Sequence, residues 1–265
     1  MRKCLSAVIL IVLLISVPIV SALGNTWDED FTTDNIRTTG SYSYDYWLNV
    51  SDSTEANASF AYSVSNGILT LIASKTGTLS NDQQHTFVRL LDISGDTIIE
   101  IKFCFESSQI LETYVWYYAS NETTSEIIGI RLTPTKHFSV LYRNITKDLE
   151  TYDFGVLSAN QWYIARIDYT EIPVKYNVTL TYPNGTTIDN VEITNAYYPL
   201  SAVYKVAIHQ GMFKSASDGY CRFYFDYIDH SSTYAYNDII NAFIPVIVTI
   251  AMISLALGFI KKVGD

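Results

Sequence analysis

The residues best suited to chemistry in this sequence are aromatic. Tyr114-Val115-Trp116-Tyr117-Tyr118 is the most aromatic stretch of the chain, and on a strand its alternate members Tyr114, Trp116 and Tyr118 share one face. Turned to solvent, three such rings make a ligand-binding platform on which sugar rings stack. Turned inward, they fill the space between two sheets, as aromatic rows in sandwich proteins usually do, and that is the expectation for this row. Other reactive types are scattered. His85, His137, His209 and His230 lack metal-ligand spacing, and no G-x-S-x-G, P-loop or G-x-G-x-x-G occurs, so nucleophilic and nucleotide chemistry have no support and no catalytic residue is assigned. With 27 acidic against 17 basic residues and a net charge of −10, the electrostatic footprint of a nucleic-acid partner is missing too.

Six N-x-S/T sequons mark N-glycosylation sites: Asn49, Asn57, Asn121, Asn144, Asn177 and Asn184. The first four fall in expected loops, Asn184 in a turn and Asn177 on an outward strand face, where a bulky glycan fits. Beyond Cys4, the cysteines are Cys104 and Cys221. An even pair in an extracellular domain suggests a disulfide. Strand parity opposes it, because Ile99, Ile101, Phe103 and Phe105 read as the core face and leave Cys104 on the other, whereas Cys221 shares parity with Phe223 and Phe225. A bulge or strand end would have to reconcile the two.

These residues need elements to hold them, and the clearest lie at the chain's ends. Residues 239–260, IINAFIPVIVTIAMISLALGFI, carry no charge; at about 1.5 Å per residue they form a helix of roughly 33 Å, enough to cross a bilayer core. Lys261 and Lys262 follow, which places that side in the cytoplasm. At the other end, Arg2-Lys3, an apolar run over residues 5–17 and Val20-Ser21-Ala22 read as a signal peptide over residues 1–22, with an uncleaved anchor as the alternative. The expectation is a single-pass type I protein: an extracellular β-sandwich over 23–230, a tether over 231–238, the transmembrane helix and a stub over 261–265.

Between the ends, the abundance of Tyr, Phe, Thr and Val suits pleated, half-buried surfaces. Residues 25–66 read as loops with one or two short edge strands. Regular strands follow: GILTLIAS, HTFVRLLDIS, TIIEIKFCFES, ETYVWYYAS, EIIGIRLTP, HFSVLYRNIT, QWYIARIDYT, KYNVTLTY, VYKVAIHQ and CRFYFDYID. Ser94-Gly95-Asp96 predicts a hairpin between the second and third of these, and Pro183-Asn184-Gly185-Thr186 another after KYNVTLTY. With no helical period between the two hydrophobic ends, the fold class is all-β, a two-sheet antiparallel sandwich.

Asp30-Phe31, Trp47, Gly67-Ile68-Leu69, the alternating IIEIKFCF, Gln161-Trp162-Tyr163 through Asp168, and Phe225-Asp226-Tyr227-Ile228 resemble in order the landmarks of concanavalin A-like, laminin-G-like jelly-roll domains. The resemblance spans most of residues 27–230. It implies about a dozen strands in two curved sheets, in a superfamily of lectins, adhesion modules and glycoside hydrolases. Its laminarinase-like hydrolases carry their carboxylates as E-x-D-x-x-E on one strand. The nearest stretch here, Glu100 to Glu106, has Lys102 in place of the Asp and Phe105 in place of the second Glu, so that active site is absent. Laminin-G-like members sometimes hold calcium at a rim, which makes Asp28, Asp30 and Asp34, or Asp92 with Asp96, candidate metal ligands, although clustered Asp more often serves turns.

The expected function is that of a membrane-anchored, glycosylated surface protein whose lectin-like sandwich recognises glycans or proteins on another surface. The alternatives are a self-assembling envelope protein of a cell or virus, its partner being a second copy of itself, and a membrane-tethered glycoside hydrolase.

Overall fold

The computed structural model describes residues 27–29, 31, 36–51, 55–91, 97–108, 111–119, 126–170, 173–197 and 203–232. The expected signal peptide and transmembrane span lie outside them. Among the described residues no helix is long and apolar enough to cross a membrane.

Among the described residues, sixteen strands form two sheets that are antiparallel except at one edge. The first holds β14 (Thr187–Ile193), β13 (Lys175–Thr181), β12 (Tyr163–Thr170), β7 (Thr97–Ser108), β16 (Gly219–Ser232), β5 (Ile68–Lys75) and β4 (Ala58–Ser65) in that order, with β1 (Trp27–Glu29) added on β16. The second holds β11 (Leu149–Val156), β10 (His137–Arg143), β9 (Glu126–Leu132), β8 (Leu111–Ala119), β15 (Val203–Met212), β6 (Gln83–Leu90), β3 (Trp47–Ser51) and β2 (Ile36–Arg37), the last pair being parallel.

Alternation in sequence decides which side chains meet between the sheets. Ile99, Ile101, Phe103 and Phe105 of β7 face Val115 and Tyr117 of β8, Ile128 and Ile130 of β9, and Phe138 and Val140 of β10 in one continuous core. Phe103 lies at its centre, stacked on Phe138 at 5.3 Å from the opposite sheet and on Phe223 at 5.6 Å from its own. Not every inward residue is apolar. Gln210 of β15 is fully buried, and neither polar atom of its amide has a partner among the described residues. Because an unpartnered buried amide costs about 1–3 kcal/mol, Gln210→Leu is expected to stabilise the protein by about 1 kcal/mol or more, read as a higher thermal midpoint.

The structure corrects several expectations. Ser94-Gly95-Asp96 joins no hairpin: β6 pairs β15 and β3 in one sheet, while β7 pairs β12 in the other. The two strands belong to opposite sheets, and turn-forming residues alone cannot distinguish a change of sheet from a hairpin. Residues 25–66 hold more strand than expected, including the eight-residue β4, whose inward side chains Phe60, Tyr62 and Val64 are only partly buried. β11 went unrecognised because LETYDFGV keeps only Phe154 buried. The last strand runs to Ser232, into the expected tether.

Cys104 and Cys221 are free and buried. No bulge reconciles them: Cys221 sits in a small cluster with Ala73, Leu79 and Met212, while Cys104 lies on the outer face of β7, opposite in parity to Phe103 and Phe105. The bridge that the sequence left open is not formed, and burial raises the two thiols to about 11 and 12.

Candidate functional site

The two outer faces differ in chemistry. On the first sheet, Glu100 of β7 pairs with Arg166 at 3.5 Å, Arg166 with Asp168 at 2.8 Å, and Glu106 with Arg222 at 2.9 Å; Lys102 pairs with Asp226. The glutamates nearest to an E-x-D-x-x-E pattern are therefore members of a half-exposed ion-pair lattice, in which each pair is worth about 0–1 kcal/mol.

The outer face of the second sheet carries the aromatic row. Val115 and Tyr117 take the core positions of β8, so Tyr114, Trp116 and Tyr118 lie on the opposite face. This overturns the expectation that the row fills the core. The pleat turns one of two sets inward, Val115 with Tyr117 or Tyr114 with Trp116 and Tyr118, and both are apolar enough to fill a core. Tyr114 stacks on Trp116 with ring centroids 5.8 Å apart and planes 17° apart, and Tyr118 follows at 6.4 Å.

The row is not an open platform, because Trp116 is only 7% exposed. The reason is Gly129, its cross-strand neighbour on β9: a Cβ there would stand 2.5 Å from Cε3 of the indole, so the missing side chain lets the ring lie against the sheet. Gly129→Ala should displace the indole, shift its fluorescence and cost about 1–3 kcal/mol by overpacking.

Beside the row, cross-strand register aligns Thr86, His209, Tyr114, Arg131 and Ser139 across five strands. The Thr86 hydroxyl and His209 Nδ1 lie 2.8 Å apart, and Arg131 Nε donates to Ser139 Oγ at 3.2 Å. Tyr114 donates its phenol proton to Glu112. Burial first, and then the Glu112 carboxylate, hold that phenol well above its ordinary value, so it remains a donor.

At the Tyr114 end the face opens into a cleft of about 280 Å³, lined by Asp82, Gln84, Glu112, Tyr114, His209 and Phe213. Space there comes partly from Gly211, where a Cβ would touch His209 Nε2 at 3.5 Å. Two aromatic rings and several hydrogen-bonding groups converge, which suits a small polyhydroxylated ligand. Residue spacing could not have revealed this cleft, since its lining comes from β6, β8, β15 and the loops after β5 and β15.

The remaining expected sites are placed as follows. Asp28 lies in β1 opposite Asp229, and Asp30, Asp34, Asp92 and Asp96 lie outside the described residues; among the described residues no group of three His, Cys, Asp or Glu could hold a metal ion. Asn184 is exposed at the tip of the β13–β14 hairpin, which Tyr182 and Thr186 close at 2.9 Å. Asn57 is exposed before β4, and Asn177 is half-buried on the outer face of β13. Asn49 is in β3 rather than a loop, with Oδ1 2.7 Å from Nε2 of the buried His85. Asn144 organises the β10–β11 turn: its Oδ1 accepts from Thr146 and Asp148 and its amide donates to Glu150. Asn121 lies outside the described residues.

No protein-family model matches the sequence, and no curated protein matches it. Solved structures do. A prokaryotic β-1,3-1,4-glucanase (lichenase) derived from a mouse hindgut metagenome aligns with a TM-score of 0.51 at 11% identity, covering 78% of this chain and 99% of that one. The β-glucanase of Bacillus licheniformis aligns with a TM-score of 0.51 at 12% identity, covering 79% and 99%. A sialidase aligns at 0.50 and 11% identity over 71% of this chain, which spans only 17% of the sialidase. At such identities the likeness is one of architecture, and that architecture is the concanavalin A-like jelly roll.

Proposed function

We propose that this chain is a membrane-anchored surface glycoprotein of type I topology whose jelly roll binds a glycan in the cleft beside Tyr114. The observation that carries the reading is the cleft itself: a tyrosine ring and Phe213 beside Glu112, Gln84, Asp82 and His209 supply both the stacking surface and the acceptors that sugar hydroxyls need. The uncharged run over residues 239–260 supports the anchor, and the exposure of Asn184 and Asn57 supports glycosylation there. Adhesion to another surface follows from an anchored glycan-binding domain.

The test is binding of the purified protein to a glycan array, with and without calcium. Glu112→Gln should weaken binding about tenfold, the value of one charge-assisted hydrogen bond, and Tyr114→Ala by at least as much, with folding checked by thermal melts. A folded protein that binds no glycan, or binds equally well after both substitutions, ends this reading.

One observation favours a second reading, a glycoside hydrolase: two carboxylates, Asp82 and Glu112, line the same cleft, and glycoside hydrolysis needs such a pair. Release of reducing ends from β-glucans, abolished by Glu112→Gln, would select it.

A further inference from the structure

The cross-strand registers sort the loops into two poles. Trp27 lies opposite His230, so the chain enters the sandwich and leaves it at the same pole, next to each other. Tyr117 contacts His230 across the core, which places the end of β8 at this pole. From there, pairing carries the start of β15, the end of β6, the start of β9 and the β10–β11 turn to the same end. The cleft, at the start of β8 and the end of β15, belongs to the other.

The entry-and-exit pole carries five of the eight large hydrophobic side chains exposed among the described residues. Ile145, in the five-residue β10–β11 turn, is 67% exposed. Leu149, Tyr197, Tyr42 and Tyr44 are also exposed there, Tyr197 being tied to this turn by its N–H to Arg143 O at 2.9 Å. Lysines accompany the tyrosines: Lys147 stands 4.7 Å over the Tyr197 ring, and Lys205 5.8 Å over that of Tyr42. Asp45 and Asp148 lie among them, so the pole has no strong charge of one sign. The group spans five strands, from β10 to β6, about 20 Å at the usual interstrand spacing.

Tyrosine and lysine flanking exposed aliphatic groups is the composition of a membrane–water interface. Chain length selects the occupant. Residues 233–238 are all that separates the end of β16 from the apolar run, and six residues reach at most about 20 Å.

We propose that this pole rests on the lipid surface, with Ile145, Leu149 and the three tyrosines in the headgroup region and the cleft turned away from the membrane. The inference depends on the anchored reading above. It also requires Asn144, beside Ile145, to carry no glycan, in keeping with the engagement of its amide and carbonyl by Glu150, Thr146 and Asp148.

The full chain, in a Cys4→Ser background and reconstituted in phosphatidylcholine vesicles, tests this with a nitroxide placed by Ile145→Cys or Val156→Cys. Val156 is 63% exposed at the opposite pole, and the two native buried thiols are held protonated and stay unlabelled. Flotation with the vesicles checks the anchor. In floating protein, the label at 145 should collide severalfold more often with oxygen and less often with a water-soluble nickel chelate than the label at 156. Equal nickel accessibility at both sites overturns the proposal while leaving the anchor standing. Shielding of 145 from both reagents means that protein covers it, which also overturns the proposal, as does glycan on Asn144 in the mass spectrum of native protein. Protein that fails to float removes the anchor and this contact together.

Discussion

Phe103→Ala is expected to lower stability by about 3–5 kcal/mol, the range for deleting a buried phenylalanine and leaving a cavity. Phe103 has no exposed surface and its ring meets Phe138, Tyr163 and Phe223 at 5.3, 5.7 and 5.6 Å. These contacts join both sheets, so neither sheet can collapse into the space without moving away from the other. Domains of this kind are stable by only about 5–15 kcal/mol, and the variant should show a much lower denaturant midpoint with unchanged slope. A loss below about 1 kcal/mol would mean that the sheets are not held together at this ring.

Acid should be nearly as damaging. His85 and His230 are buried and held neutral: burial lowers His85 to about 4 and His230 to about 3, with the positive charge of Arg89 adding to the effect on His230. His85 is enclosed by the rings of Phe60, Tyr62 and Phe87, and its Nδ1 has no partner among the described residues. His230 lies 3.2 Å from the Tyr117 hydroxyl. Since both folded values fall below the unfolded value of about 6.5, the unfolded chain takes up protons first. The stabilisation is fully present above about pH 6.5 and is lost as pH falls towards 4 and 3. At pH 5 each histidine accounts for about 2 kcal/mol, some 4 kcal/mol together, at 1.36 kcal/mol per pH unit. Denaturant titrations at pH 7.5 and pH 5 measure this loss, and His85→Gln should reduce the slope by about one proton. A pH-independent midpoint over that interval would show that water reaches both rings.

Strands whose alternation is written in large side chains were legible in the sequence. β7, β12 and β13 could be read directly, and the parity of Cys104 against Cys221 was already a warning against their bridge. The strands that escaped, β4 and β11, bury few side chains and sit at or near sheet edges, where hydrophobic pattern is weakest. The β6–β7 change of sheet was hidden because strand partners are chosen by the whole sandwich, whereas Ser94-Gly95-Asp96 specifies only a reversal. For the site, the sequence supplied the aromatic stretch but misjudged its face. In Tyr114-Val115-Trp116-Tyr117-Tyr118 both parities could fill a core, and the feature that lets Trp116 lie against the outer face is a missing side chain, at Gly129 on the next strand.

The order of strands in the sheets constrains how this protein can be made. β16 fills the gap between β7 and β5, and β15 fills that between β8 and β6, so each sheet is two blocks joined by a strand near the end of the described chain. Until those last strands leave the ribosome, four interior edges stand open with unpaired backbone groups, and the long-range pairings that close them are the slow step. Closure of the sandwich therefore waits until β15 and β16 have been made, and the growing chain depends until then on whatever shields its exposed edges from other chains.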